Sequence, residues 1–182
     1  YWISVFQITE RQYFFVSEVC GSSYKSDPRH WTMPVHNISW GGFADGTHSV
    51  RGADAEWPGS SYVNPDSFLG KLRKLSPSFV FDLPTESQWE FAYRAGTDTL
   101  TPWGNEVTAD ASRGHAWNRQ NWSDDPALAA NSPHEVGLLK PNRWGIYDMG
   151  GNINEWCLDY FRVDNASYAR RTVLVNPQGP LT

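Results

Sequence analysis

Cysteine is scarce: Cys20 and Cys157 are the only two in 182 residues, too few for a disulfide scaffold and enough for one bridge at most. Neither has a CxxC partner, and His30, His36, His48, His115 and His134 never fall at HxH or HExxH spacing, so no local zinc motif exists. The chain also lacks a GxSxG elbow, a Walker-type phosphate loop and a GxGxxG fingerprint. Runs of Lys or Arg are missing too. With acids and bases interspersed and a formal net charge of −5, neither nucleic acid nor an anionic membrane surface is an expected partner. No apolar stretch reaches the length of a transmembrane segment, and the opening YWISVFQITERQY is not a basic-then-apolar signal peptide. The compartment stays open, with an extracellular or periplasmic setting slightly favoured. Without a repeat, linker or composition shift, residues 1–182 read as a single domain.

What the chain has is aromatic side chains, Gly and Pro. Ten Trp, eight Tyr and nine Phe, with 15 Gly and 12 Pro scattered among them, describe an irregular, loop-rich globule held by large rings. Tyr1 to Ile8 is aromatic and β-branched enough for a strand, and Thr9-x-x-Gln12 reads as a capping box opening a helix. That helix places Tyr13, Val16, Val19 and Cys20 on one face and stops at Gly21. After the short apolar PVHNISW, residues 41–63 form an aperiodic surface excursion, read as an inserted loop. Asn64-Pro65 is the expected start of a second helix, with Phe68, Leu69, Leu72 and Leu75 on its apolar face and Ser76-Pro77 at its end. A strand from Phe79 to Leu83 precedes a third helix, opened by Thr85-x-x-Gln88 and closed by Gly96. Within it Glu90 and Arg94 have i,i+4 spacing, which makes Glu86 and Glu90 helix-stabilising acids rather than a catalytic pair.

Four ordered blocks carry a resemblance. FDLPTESQWEFAYRAG followed by PWGNE resembles the RLPTEAEWEYA…PWG block of the formylglycine-generating enzyme, or sulfatase-modifying factor, family, and PNRWGIYDMGGNINEWCLDY resembles its PNxxGLYDMxGNxWEW block. YWISVFQITERQY is similar to its FxIGxYEVTxxQY opening, and PVHNISW to its PVxxVSW. The resemblance implies an α+β fold of irregular C-type-lectin-like form, with short strands, few helices and long loops. It also implies that the Trp residues of QWE, PWG, RWG and NEW are core packing.

Family enzymes oxidise a sulfatase cysteine to formylglycine with oxygen and with copper held by a cysteine pair, a soft–soft match, after an RGGSW-type strand. Here the chain runs to VNPQGPLT without that pair, and neither Cys20 nor Cys157 maps onto it. The expectation is a domain lacking its C-terminal segment and acting as a binding or scaffold module, with a protein or peptide ligand or a partner chain completing the fold. The alternatives are a copper-dependent oxidase whose catalytic segment lies beyond Thr182, and a lectin-like ligand-display protein. The family's block around YDMGGNINEW further implies a structural Ca²⁺ held by the side chains of Asp148 and Glu155 and the carbonyls of Gly151 and Ile153. Hard oxygen ligands of this mixed kind suit Ca²⁺, and water or remote groups must complete the shell. Asn154 stands where the family usually has Trp near the peptide-binding region, which weakens an inherited sulfatase-peptide role. Asn118 and Asp124 are candidates for a second calcium site, although a surface loop is the preferred reading there.

Overall fold

The structure is a computed structural model, which describes residues 1–20, 28–41, 48–52, 57–119, 121–122 and 133–159. Among them the chain forms α1 (Glu10–Ser17), a 3₁₀ turn (Pro28–His30), α2 (Phe68–Leu75), α3 (Glu86–Arg94) and α4 (Ala109–Ser112).

Both capping boxes form. Thr9 Oγ1 accepts from Gln12 N at 3.2 Å while Gln12 Oε1 accepts from Thr9 N at 2.9 Å, and Thr85 and Gln88 repeat the exchange at 3.2 and 2.9 Å. Each satisfies two N–H groups that a helix start would leave unpaired. α3 ends as expected, with Ala95 in the left-handed region (φ 47°) just before Gly96, and Arg94 Nε donates to Glu90 Oε1 at 2.8 Å. α1 ends earlier than Gly21. Ser17 Oγ bonds back to Tyr13 O at 2.6 Å, Glu18 turns left-handed (φ 63°), and Lys71 Nζ takes Ser17 O at 2.8 Å. Val19 is therefore left exposed instead of sharing the buried face of Tyr13.

α2 starts later than the Asn64-Pro65 pair predicts. That pair builds a turn in front of the helix, with Ser67 N donating to Asn64 O at 3.0 Å, and Ser67 Oγ becomes the cap by accepting from Gly70 N at 3.2 Å. The turn lies so close that a Cβ on Gly70 would sit 2.1 Å from Asn64 O, so only glycine fits there. Phe68 and Leu69 are buried, whereas Leu75 is exposed.

Two apolar clusters hold the fold. Tyr13, Val35, Val50, Val63, Phe68 and Leu69 form the first, with the Tyr13 and Phe68 rings stacked at 4.9 Å. Ala92, Ile146 and Met149 form the second, joined by Ile3, Trp89 and Tyr93. Each large side chain fully buried this way contributes about 1.5–3 kcal/mol. The expected inserted loop is not all surface, since Val50, Arg51 and Val63 within residues 41–63 are buried.

The expected strands Tyr1–Ile8 and Phe79–Leu83 do not form ladders. Pairing among the described residues is limited to the bridges Thr9–Pro34, Ser39–Ser49 and Thr101–Gly104. The reason lies in where the bonds go: Val5 O accepts from Tyr147 N, Ile8 O from Val35 N and Phe81 O from Arg73 Nε. Each extended segment is thus tied singly to several neighbours, and no one neighbour runs alongside it.

The family's Trp positions divide as well. Trp89 and Trp103 pack around Tyr93, whereas Trp144 and Trp156 are about half exposed. Trp156 spends its N–H on Ile38 O at 3.1 Å.

Candidate functional site

The stretch from Gly145 to Trp156 folds as a chain of turns pinned by side-chain amides. Asn142 Nδ2 donates to Ala92 O at 2.7 Å at the end of α3, and its Oδ1 accepts from Trp144 N and Ile146 N. Ten residues on, Asn152 does the same work: it sits in the left-handed region (φ 70°) and exchanges two bonds with the His134 backbone, at 2.9 and 3.0 Å. Gly151 is fixed by close approach, because a Cβ there would lie 2.0 Å from Trp117 O. His134 is wholly enclosed, stacked on Trp117 with centroids 3.6 Å apart.

These constraints bring the four sequence-predicted residues onto one point. Glu155 Oε1, Gly151 O, Ile153 O and Asp148 O lie 2.8, 3.1, 3.3 and 3.4 Å from a single atom, Gln7 Nε2. Asp148 reaches this nitrogen through its carbonyl. Its carboxylate meets the Gly137 backbone instead, with Oδ2 accepting from Gly137 N at 2.7 Å, while Oδ1 is buried with no hydrogen-bond partner. Glu155 Oε2 accepts from Trp89 Nε1 at 3.2 Å, which ties the loop to α3. Gln7 is the residue that sequence reasoning missed. It lies 141 residues from Asp148, beyond the reach of any local pattern.

The electrostatics are those of an acceptor-rich pocket. Burial raises the pKa of Asp148, against the lowering effect of its Gly137 bond. Burial likewise raises that of Glu155, with bonds from Gln7 and Trp89 pulling the other way and Asp148 adding to the rise. An amide nitrogen brings two hydrogens to these four oxygens. Gln7 Oε1 and Asp148 Oδ1 are both enclosed without a donor. Lone pairs therefore outnumber donors, which is the condition a hard cation satisfies. Among the described residues no three His, Cys, Asp or Glu side chains gather as a metal-binding group, so the oxygen set is largely backbone carbonyl.

Asn118 Nδ2 donates to Ser112 Oγ at 2.9 Å, and Asp124 lies outside the described residues. Cys20 and Cys157 are both free thiols. Burial, reinforced by Asp159, Glu155 and Glu86, pushes the Cys157 thiol up to about 11, away from thiolate at neutral pH.

Beside the loop opens a cleft of about 1980 Å³, bounded by residues near the N-terminus, by residues 78–85 and by residues 152–156. Trp2, Phe79, Val80 and Trp156 line it while remaining exposed. Among the described residues no helix is long and apolar enough to cross a membrane.

Comparison with known proteins places the chain. A formylglycine-generating enzyme of Thermomonospora curvata is 29% identical over 175 residues, covering 93% of this chain and 46% of that enzyme. Its counterpart in Streptomyces coelicolor is 34% identical over 106 residues, covering 55% of this chain and 32% of the enzyme. The chain thus spans less than half the length of these relatives. Among solved structures, Treponema denticola variable protein 1 shares the fold, with a TM-score of 0.58 at 20% identity over 96% of this chain and 66% of that one. The family described as sulfatase-modifying factor enzyme 1-like domain matches residues 1–176, a span that includes Gln7 and the oxygen-rich loop, and the chain belongs to that family, with its C-type-lectin-like fold.

Proposed function

We propose that this domain is a binding or scaffold module of the family, offering the cleft beside the Gly145–Trp156 loop to a protein or peptide. The cleft carries the reading. Large apolar side chains exposed together along one depression are costly on a free surface and favourable against a partner. The net charge of −5 favours such a ligand over nucleic acid. The short-strand, α+β form of the fold belongs to the same reading, with the Thr9–Pro34 and Ser39–Ser49 bridges marking where sheet pairing would run.

Calcium is the group that the loop's chemistry suits. Asp148, Gly151, Ile153 and Glu155 would hold it, and a bound ion would satisfy lone pairs that the protein's own donors leave over. Asp148 and Asn152, both with positive φ, hold the turn that brings the carbonyls together. Titration calorimetry is expected to find about one calcium per chain, lost in Glu155→Ala. Absence of heat and of retained metal would contradict it.

The binding reading is tested with a displayed random-peptide library. Peptides enriched on the wild type are expected to lose binding to Phe79→Asp and Val80→Asp, since both side chains are exposed and their replacement leaves the core intact. Enrichment indifferent to both changes would count against the cleft. The formylglycine-generating relatives favour a second reading, a copper-dependent oxidase completed by a segment beyond Thr182. Conversion of a sulfatase-type cysteine peptide to formylglycine, with copper and oxygen supplied, would establish that reading for the natural full-length protein.

A further inference from the structure

Gln7 is buried, and its carboxamide nitrogen donates toward the three loop carbonyls of Asp148, Gly151 and Ile153. It also donates to Glu155 Oε1 at 2.8 Å, the shortest of the four contacts. Those bonds run from residue 7 to residues 148–155, so one side chain fastens the N-terminal segment to the loop. An amide N–H donor and a cation are alternative solutions for the same lone pairs. The nitrogen satisfies them in part and without metal; an ion satisfies more of them but depends on supply.

We propose that the Gln7 carboxamide is a built-in stand-in for a cation: it closes the Asp148–Glu155 loop when no ion is bound, so that the fold does not require one. The inference rests on the calcium reading only for the ion-bound state. In that state a half-turn of the amide presents Oε1, the atom now buried without a donor, to the ion. A carboxylate of the same shape lacks this ability. Ionised at residue 7, it would face the Glu155 carboxylate and three carbonyls with no proton to give, so closing the loop would require a cation or uptake of a proton.

The experiment compares wild type, Gln7→Glu and Gln7→Met at pH 7.5, each in EGTA and in calcium, by thermal melting, metal content and hydrogen exchange over residues 148–155. At one calcium concentration, about 100 times the Kd of Gln7→Glu, wild type is expected to melt within about 2 °C of its EGTA value, because the ion must displace the amide and binds more weakly. Gln7→Glu is expected to melt about 5–10 °C lower in EGTA than in calcium at about 100 times its Kd. Gln7→Met removes the donor without adding charge, and in EGTA its loop amides are expected to exchange at least ~10-fold faster than in wild type. Two results would overturn the proposal: a chelator-induced drop in wild type as large as that of Gln7→Glu, or Gln7→Met melting and exchanging like wild type in EGTA. Failure of every variant to take up calcium would overturn the calcium reading instead, and it leaves the comparison of wild type with Gln7→Met in EGTA to decide the stand-in.

Discussion

Arg51 and Gln7 each carry a polar head into the interior and join segments far apart in the chain, but they meet opposite conditions. Arg51 is wholly enclosed, with Nε and Nη2 donating to the two Asp82 oxygens at 2.8 and 3.0 Å and its guanidinium 5.5 Å from the Trp40 ring and 5.7 Å from that of Trp57. Asp82 takes a further bond from Arg73 Nη2 at 3.2 Å. Charge there answers charge, with a bidentate fork and flanking rings, and the atom left over, Arg51 Nη1, is a donor buried without an acceptor. At the Gly145–Trp156 loop a neutral amide answers a carboxylate and three carbonyls, and oxygen remains in surplus. The first region is a charge-paired structural joint with no surplus of oxygen. The second has the chemistry to admit something more.

The largest effect is expected where the charge-paired joint is broken. Arg51→Met leaves Asp82 with Arg73 as its remaining basic partner, and denaturant unfolding should show a loss of about 3–5 kcal/mol, insensitive to calcium. A loss of similar size that calcium restores would erase the distinction between the two regions. Gly151→Ala attacks the loop, driving a Cβ to within 2.0 Å of Trp117 O, so the backbone must shift. A loss of about 1–3 kcal/mol is expected, accompanied by reduced calcium binding. Stability falling while calcium affinity stays intact would mean that the turn does not set the oxygen positions. Thr85→Ala touches neither pairing and acts at the cap of α3. It should cost about 1 kcal/mol, with no calcium dependence, in the same unfolding measurement.

The parts of this molecule legible in its sequence were those decided within a few residues. The Thr9 and Thr85 capping boxes and the Glu90–Arg94 pair depend on i,i+3 and i,i+4 spacing and formed as read. Asp148, Gly151, Ile153 and Glu155 fall within eight residues, and the turn that gathers their oxygens is written in the same stretch. What was hidden depends on distant partners. The end of α1 is fixed partly by Lys71 reaching Ser17 O, and the start of α2 by a turn that outcompetes Asn64 for the cap. The strand expectations failed because apolar alternation describes a segment and says nothing of whether a neighbour runs beside it. Gln7 lies more than 140 residues from the oxygens it serves, so no local pattern could place it there.

A double-mutant cycle between Gln7 and Glu155, run in EGTA with Gln7→Met, Glu155→Gln and the double variant, measures the link between the two directly. The account predicts that the two changes couple by about 1–2 kcal/mol in unfolding free energy, because each side chain holds the other's partner in place. Effects that add to within about 0.5 kcal/mol would show that Gln7 does not close this loop.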